Sequence, residues 1–144
     1  MIYTLDTNLW IDALRTPAEL DRLKGFLSWA LPQTMLTSMV AAELLAGART
    51  AAARSALELE VLEPFARRGR LRAPSVEAWR RTGLLLGAMG GRQGQAAWQN
   101  DVLLSCMARE HGWVLLTRDV DFQTLRQHVR GLQLAAPYPS RTGS

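Results

Sequence analysis

The chain alternates between short apolar runs and longer stretches whose apolar residues recur with helical spacing. Short apolar runs bounded by turn residues predict buried strands, whereas helical spacing predicts amphipathic helices. The predicted strands comprise residues 2–5, 34–37, 71–73, 113–117 and 132–135. The predicted helices comprise residues 7–14, 18–30, 39–46, 50–68, 75–90, 96–111 and 119–129. Because strands alternate with helices, we predict an α/β fold, with a short parallel sheet of four to five strands and helices on both faces.

Small polar residues, proline and glycine mark the predicted helix ends. Ser38 is the predicted N-cap of the third helix, and Gly47 is its stop. Pro64 should break the 50–68 helix near its end. The glycine-rich stretch at 90–95 predicts a mobile loop between two helices.

The bulk composition predicts one globular domain. The chain has 144 residues, of which 48% are apolar and 21% are charged. We expect a single domain over residues 1–137 and a flexible C-terminal tail over 138–144. Cys106 is the only cysteine, so a reducing compartment fits. The N-terminus lacks the basic region of a signal peptide, and no apolar run approaches the ~18 residues of a membrane span. We therefore expect a cytoplasmic protein.

The charge balance favours an acidic partner. The formal net charge is +4, and Lys24 is the only lysine among 17 basic residues. Guanidinium groups suit phosphates and carboxylates because they donate in a planar fork. A nucleic acid or an acidic protein is therefore a candidate partner, although a solvated basic surface explains the same charge.

Two carboxylates follow predicted strands within two residues. Asp6 ends the first strand, and Asp119 follows the apolar run 113–117. An Asp between strand and helix often caps the helix. In parallel α/β sheets, however, ligands bind beyond the carboxyl ends of the strands. Two acids at such ends are more informative than one.

Two further carboxylates lie on apolar helix faces. The helical neighbours of Glu43 are apolar or small, and Asp101 shares its face with Trp98 and Leu104. An unpaired buried carboxylate is costly. A salt bridge with an arginine is the alternative for Glu43, and a helix start capped by Asn100 is the alternative for Asp101.

A divalent cation is expected if these four acids converge, because their mutual repulsion then needs a counter-charge. Oxygen ligands suit Mg²⁺ or Mn²⁺. With only His111 and His128 and one cysteine, the chain offers little to a zinc site.

Four sequence motifs carry a family resemblance. They are LDTNLWIDAL, TSMVAAELLAGA, NDVLLSCMA and LLTRDVDF. Their order and spacing resemble a PIN domain over about residues 2–136. More narrowly, they resemble the VapC-type toxins of bacterial toxin–antitoxin pairs.

The resemblance implies a Mg²⁺- or Mn²⁺-dependent ribonuclease that is dimeric and held inactive by a cognate antitoxin. It implies a catalytic set of Asp6, Glu43, Asp101 and Asp119. Asp121 joins these four as a metal ligand. The supporting polar residues are Thr7, Asn8, Asn100 and Thr117.

Contacts to the RNA substrate are expected from arginines. The candidates are Arg67, Arg68, Arg70, Arg72, Arg80, Arg81 and Arg92. Each could equally be part of a solvated helix face or of an antitoxin-docking surface.

Two other functions fit parts of the pattern. One is a non-catalytic PIN-like module that binds RNA or a partner. The other is a haloacid-dehalogenase-type phosphatase, which has an acid after its first strand but needs a second Asp where this chain has Asn8.

Overall fold

Five short strands form one parallel sheet. The computed structural model describes residues 1–90 and 96–141. The strands are β1 (Tyr3–Leu5), β2 (Thr34–Thr37), β3 (Leu71–Arg72), β4 (Val114–Leu116) and β5 (Gln133–Ala135). Their order across the sheet is β3-β2-β1-β4-β5, and every neighbouring pair is parallel. The predicted α/β class and parallel sheet are confirmed.

The helices fall close to the predicted stretches. They are α1 (Thr7–Arg15), α2 (Pro17–Ala30), α3 (Ser38–Gly47), α4 (Ala51–Leu57), α5 (Glu63–Arg67), α6 (Val76–Met89), α7 (Ala96–His111) and α8 (Asp121–His128). Residues 102–108 of α7 are all buried, as expected for a helix that packs in the centre of a domain. Cys106 lies in this segment and is a buried free thiol.

Two predicted helix boundaries are wrong. Thr37, not Ser38, caps α3, because its hydroxyl accepts from the Val40 N–H at 3.5 Å. Pro64 does not break the helical path. A π-helical turn (Glu58–Leu62) precedes it, and the Glu63 N–H donates to the carbonyl of Glu58. Such a wider turn accommodates a residue that lacks an N–H and crowds the preceding turn.

Helix α8 also begins later than predicted. The sequence predicts a start at Asp119, but the first helical residue is Asp121. Asp119 lies instead in the loop after β4, where its carboxylate accepts from the Asp121 N–H at 2.9 Å. This local bond gives the Asp an alternative to the helical conformation.

The two segments predicted to be irregular have different outcomes. Gly90 ends α6 with a φ of 62°, and the rest of the predicted 90–95 loop lies outside the described residues. The domain boundary after residue 137 stays a prediction. Tyr138, at the start of the predicted tail, stacks on Phe26 with ring centroids 5.2 Å apart, under the Arg22 guanidinium.

A membrane-spanning helix is absent from the described ranges, since none of their helices combines the necessary length and apolar character.

The cap of α3 gives a stability test. Thr37→Ala removes the fully buried hydroxyl that caps the helix and should lower the free energy of unfolding by about 1 kcal/mol. Ser38→Ala is the matched control and should stay within about 0.5 kcal/mol of the wild type. Urea denaturation measures both. A larger loss of unfolding free energy for Ser38→Ala than for Thr37→Ala would show that Ser38 is the N-cap.

Candidate metal centre

The sheet reverses its winding direction between β1 and β4. Strands β2 and β3 lie on one side of β1, whereas β4 and β5 lie on the other. Chain connections leave these two strands in opposite directions, so a crevice opens beyond their carboxyl ends. A backbone hydrogen bond holds the ends of β1 and β4 together at this edge, since the Asp6 N–H donates to the Leu116 carbonyl at 3.2 Å.

Asp6 is the buried anchor of the crevice. Its carboxylate caps α1 by accepting from the Leu9 N–H at 3.2 Å, and it also accepts from the Thr117 hydroxyl. Both interpretations of this residue therefore hold, because one side chain caps the helix and faces the crevice.

The loop after β4 brings two more carboxylates to the crevice. The Thr117 hydroxyl donates to Asp6 and accepts from the Asp119 N–H at 2.9 Å. Asp119 in turn fixes the start of α8 through the Asp121 N–H. A chain of hydrogen bonds thus links the end of β1 to both acids of this loop.

Glu43 reaches the crevice from α3. This helix starts at the carboxyl end of β2, so its first turns lie beside the end of β1. The Thr7 hydroxyl donates to Glu43 Oε1 at 2.9 Å. The side chain is half-buried, and in the described ranges no arginine pairs with it. The salt-bridge alternative for Glu43 is therefore not supported.

Asp101 reaches the crevice from α7. This helix ends just before β4 begins, so it runs back along the sheet and its early turns lie at the carboxyl edge. Asp101 and Asn100 lie inside α7, which is described from Ala96 onward. The alternative of a helix start capped by Asn100 is therefore wrong.

These side chains line one cavity of about 220 Å³. Its lining residues are Asp6, Thr7, Asn8, Glu43, Ala97, Trp98, Asp101, Asp119, Asp121 and Phe122. Oxygens of Asp101, Asp119 and Asp121 lie within 4.8 Å of one another, close enough to share one cation. Asp6 and Glu43 face the same cavity but are not part of this group of three. The donors are all carboxylate oxygens, which suit a hard divalent cation.

The electrostatics of the cavity oppose full ionisation. Burial raises the pKa of the Asp6 carboxyl, against the hydrogen bonds from Thr117, Leu9 and Asn8. Burial is also the largest cause that raises the pKa of Asp101, to about 7. The charges of Asp119, Asp6, Glu43 and Asp121 raise it further, in that order. A cation bound among these groups would relieve both the repulsion and the cost of burial.

Other predicted site residues lie elsewhere. Asn100 and the predicted RNA-contacting arginines are not among the cavity's lining residues, and Arg92 lies outside the described residues. Arg67 pairs with Glu63 and Arg80 pairs with Glu77, both within one turn of helix. The role of these arginines in RNA binding stays a prediction.

Sequence reasoning missed the apolar part of the cavity wall. Ala97, Trp98 and Phe122 line it, and Phe122 directly follows Asp121. The signal was present, because each of these residues lies within four positions of a predicted acid.

An apolar groove of about 390 Å³ meets the acidic cavity at Glu43. It lies between α1, α3, α4 and the π-helical turn, and its apolar lining includes Ile11, Leu14, Leu44, Leu57 and Val61. Arg15 and Glu60 lie among its charged residues.

Residues 3–127 match the PIN domain, which covers the sheet edge and all of the acids described above. The chain belongs to the PIN-domain family. No curated protein sequence is significantly similar to it.

Solved structures share the fold of this PIN domain. VapBC-1 from nontypeable Haemophilus influenzae is 24% identical, with a TM-score of 0.65 over 94% of this chain and 98% of that chain. DNA-bound VapBC from Salmonella typhimurium is 21% identical, with a TM-score of 0.67 and the same coverage. A toxin-antitoxin complex from Klebsiella pneumoniae is 17% identical, with a TM-score of 0.65 over 96% and 99%.

The raised pKa of Asp101 predicts how the stability of this PIN domain depends on pH. The folded chain holds this proton more tightly than the unfolded chain, whose pKa is near 3.8. The free energy of unfolding should therefore fall as the pH rises from about 4 to about 7, and the full penalty remains above pH 7. Asp101→Asn removes the charge. In EDTA near pH 8, we expect the variant to be more stable than the wild type by roughly 1–3 kcal/mol, which allows for solvent screening.

Chemical denaturation at several pH values measures this difference, which should shrink towards pH 4. The exposed Asp21→Asn is the matched control, and its effect should stay below about 0.5 kcal/mol at every pH. A loss of stability for Asp101→Asn near pH 8 would mean that Asp101 makes a stabilising ion pair.

Proposed function

We propose that this PIN domain is a Mg²⁺- or Mn²⁺-dependent endoribonuclease and the toxin of a toxin–antitoxin pair. The observation that carries the proposal is the convergence of five carboxylates, from four separate parts of the chain, on one cavity where the sheet reverses its winding direction. The three-carboxylate group of Asp101, Asp119 and Asp121 fits a hard cation. The arginine-rich surface and the net charge of +4 suit a polyanionic substrate.

The side chains divide the chemical roles between them. A divalent cation, when bound, lowers the pKa of a water molecule and offsets the charge that develops on the phosphate. Asp101, Asp119 and Asp121 would supply its ligands. Asp6 and Glu43 face the same space and would accept protons or orient the attacking water. A ligand carboxyl must be ionised, so Asp101, whose pKa is about 7, would release its remaining proton on becoming a ligand.

A cognate antitoxin is the proposed partner. A structural neighbour of this fold is described as a toxin-antitoxin complex. The apolar groove offers a surface to such a partner, and a segment seated there would reach the acidic cavity past Glu43. Assays of activity should therefore use the chain purified without a partner.

A PIN-like module that only binds RNA or a partner is the alternative within the same family. The family assignment sets the haloacid-dehalogenase-type phosphatase aside.

RNA cleavage should require added Mg²⁺ or Mn²⁺ and should stop in EDTA. Asp119→Asn should reduce the cleavage rate at least about 100-fold, because even the loss of an outer partner of a metal ligand costs 10–100-fold. The control is Asp21→Asn, whose exposed side chain lies on α2 and does not line the cavity. Gel analysis of mixed RNAs gives the rates.

Two outcomes would contradict the proposal. Cleavage that persists undiminished in EDTA would remove the metal from the mechanism. RNA that binds with metal present but is never cut would favour the binding module.

We also propose that the chain forms a homodimer. Some of the leucines on the helices, such as Leu44 and Leu57, are buried in the core. Helix α6 nevertheless exposes Val76, Trp79 and Leu84, which are 77%, 47% and 75% exposed. Apolar side chains grouped on one helix are typical of an interface.

Dimer formation is tested by sedimentation at micromolar concentration. The double variant Trp79→Ser/Leu84→Ser should shift the wild-type dimer towards monomer. Leu14→Ser is the control, since Leu14 is also exposed but lies on α1. A wild-type chain that is monomeric at micromolar concentration would refute the dimer.

A further inference from the structure

Arg118 lies in the loop after β4 and joins this loop to the first two helices, α1 and α2. Its Nη1 donates to Asp12 Oδ2 of α1 at 3.0 Å, and its Nη2 donates to Glu19 Oε2 of α2 at 2.5 Å. Arg118 is 106 positions from Asp12 and 99 positions from Glu19 in the sequence, so the contact ties distant parts of the chain together. Both terminal nitrogens of the guanidinium are engaged by carboxylates in this bridge.

Arg118 lies in the loop after β4, next to two residues of the candidate metal centre. Arg118 lies between Thr117, which bonds to Asp6, and Asp119, which belongs to the three-carboxylate group. The Asp119 N–H donates to the Thr117 hydroxyl, and the Asp121 N–H donates to Asp119. The loop is therefore held on one side by Asp6 and on the other by the acids of α1 and α2.

The bridge is reinforced from α2. Arg22 pairs with Glu19 at 3.3 Å and donates to the Pro137 carbonyl at 3.1 Å. Burial is the largest single influence on the pKa of Glu19 and raises it, but the hydrogen bonds and charges of Arg118 and Arg22 together outweigh it and lower the pKa. Glu19 is therefore a carboxylate at neutral pH and can accept from Arg118.

We propose that Arg118 is a positioning residue for the metal centre: its bridge to Asp12 and Glu19 holds Asp119 and Asp121 where they can share a cation with Asp101. The inference rests on the proposed metal-dependent function. Two other roles are open to an arginine beside such a centre, namely direct contact with RNA phosphates and a plain contribution to stability. The ion pairs of Arg118 with Asp12 and Glu19 are partly exposed and contribute little to stability by themselves. Measurements made without RNA then separate an effect on loop geometry from direct RNA contact.

The first measurement follows the loop without metal or RNA. Hydrogen exchange of the Asp119 and Asp121 amides is recorded by NMR in EDTA for the wild type, Arg118→Ala and the double variant Asp12→Asn/Glu19→Gln. Both variants should exchange about fivefold faster at these amides, the factor expected from loss of an exposed ion pair. The double variant leaves Arg118 in place, so it tests the bridge even if Arg118→Ala folds poorly.

The second measurement is Mn²⁺ binding, followed by electron paramagnetic resonance in the absence of RNA. Removal of a positive charge beside an acidic cavity should by Coulomb's law tighten cation binding. Positioning predicts the opposite sign, with Mn²⁺ bound about tenfold more weakly by Arg118→Ala. Arg126→Ala is the charge-matched control on α8, because this exposed arginine forms no ion pair among the described residues. It should bind Mn²⁺ as the wild type does, or slightly more tightly.

The outcomes separate the two proposals. Unchanged exchange at both amides in both variants overturns the positioning role, as does Mn²⁺ binding by Arg118→Ala that equals or exceeds that of Arg126→Ala. A wild-type chain that binds no Mn²⁺ overturns the metal-dependent function, and the exchange measurement then decides alone whether Arg118 holds the loop.

Discussion

The mutual repulsion of carboxylates in a partly buried cavity is the constraint on which the rest of the structure depends. Asp6 is buried, and the pKa of Asp101 rises to about 7 through burial and then through the charges of Asp119 and its neighbours. A chain selected only for stability would put an arginine in this space, and many are available. The cavity has none among its described lining residues. The fold therefore bears an electrostatic cost that protonation of Asp101 or a bound cation would relieve.

Hydrogen bonds from hydroxyl and amide donors stabilise the clustered carboxylates without neutralising their charge. Thr117 donates to Asp6, Thr7 donates to Glu43, and the Asp121 N–H donates to Asp119. A neutral donor fixes a carboxylate and lowers its free energy, but it leaves the negative charge in place. The second oxygens of Glu43 and Asp119 receive no hydrogen bond from the described residues, so they are free to face a ligand. Orientation and charge are thus set by different groups.

The sequence predicts the parts of this arrangement that depend on local pattern. The strands follow from apolar runs, and Glu43 and Asp101 stand out because a carboxylate on an apolar helix face needs an explanation. Local pattern cannot decide between adjacent hydroxyls, so the cap falls on Thr37 instead of Ser38. Nor does it reveal a π-helical turn, which lets Pro64 continue a helix. The bridge of Arg118 to Asp12 and Glu19 could not be predicted from the sequence, because its partners lie on three separate segments and leave no periodic pattern.

The separation of charges within the molecule would link the proposed cation binding to the proposed RNA binding. Negative charge is concentrated in the cavity, whereas the predicted RNA-contacting arginines lie outside its described lining. An RNA phosphate drawn to the basic surface would therefore be repelled at the point where cleavage is proposed, unless a cation already occupies the carboxylates. Under the proposed function, each ligand would raise the affinity of the chain for the other by the same factor, as thermodynamic linkage requires. In the proposed nuclease, the charges that would hold the cation would also repel the phosphate in its absence, so RNA would enter the acidic cavity only after the cation.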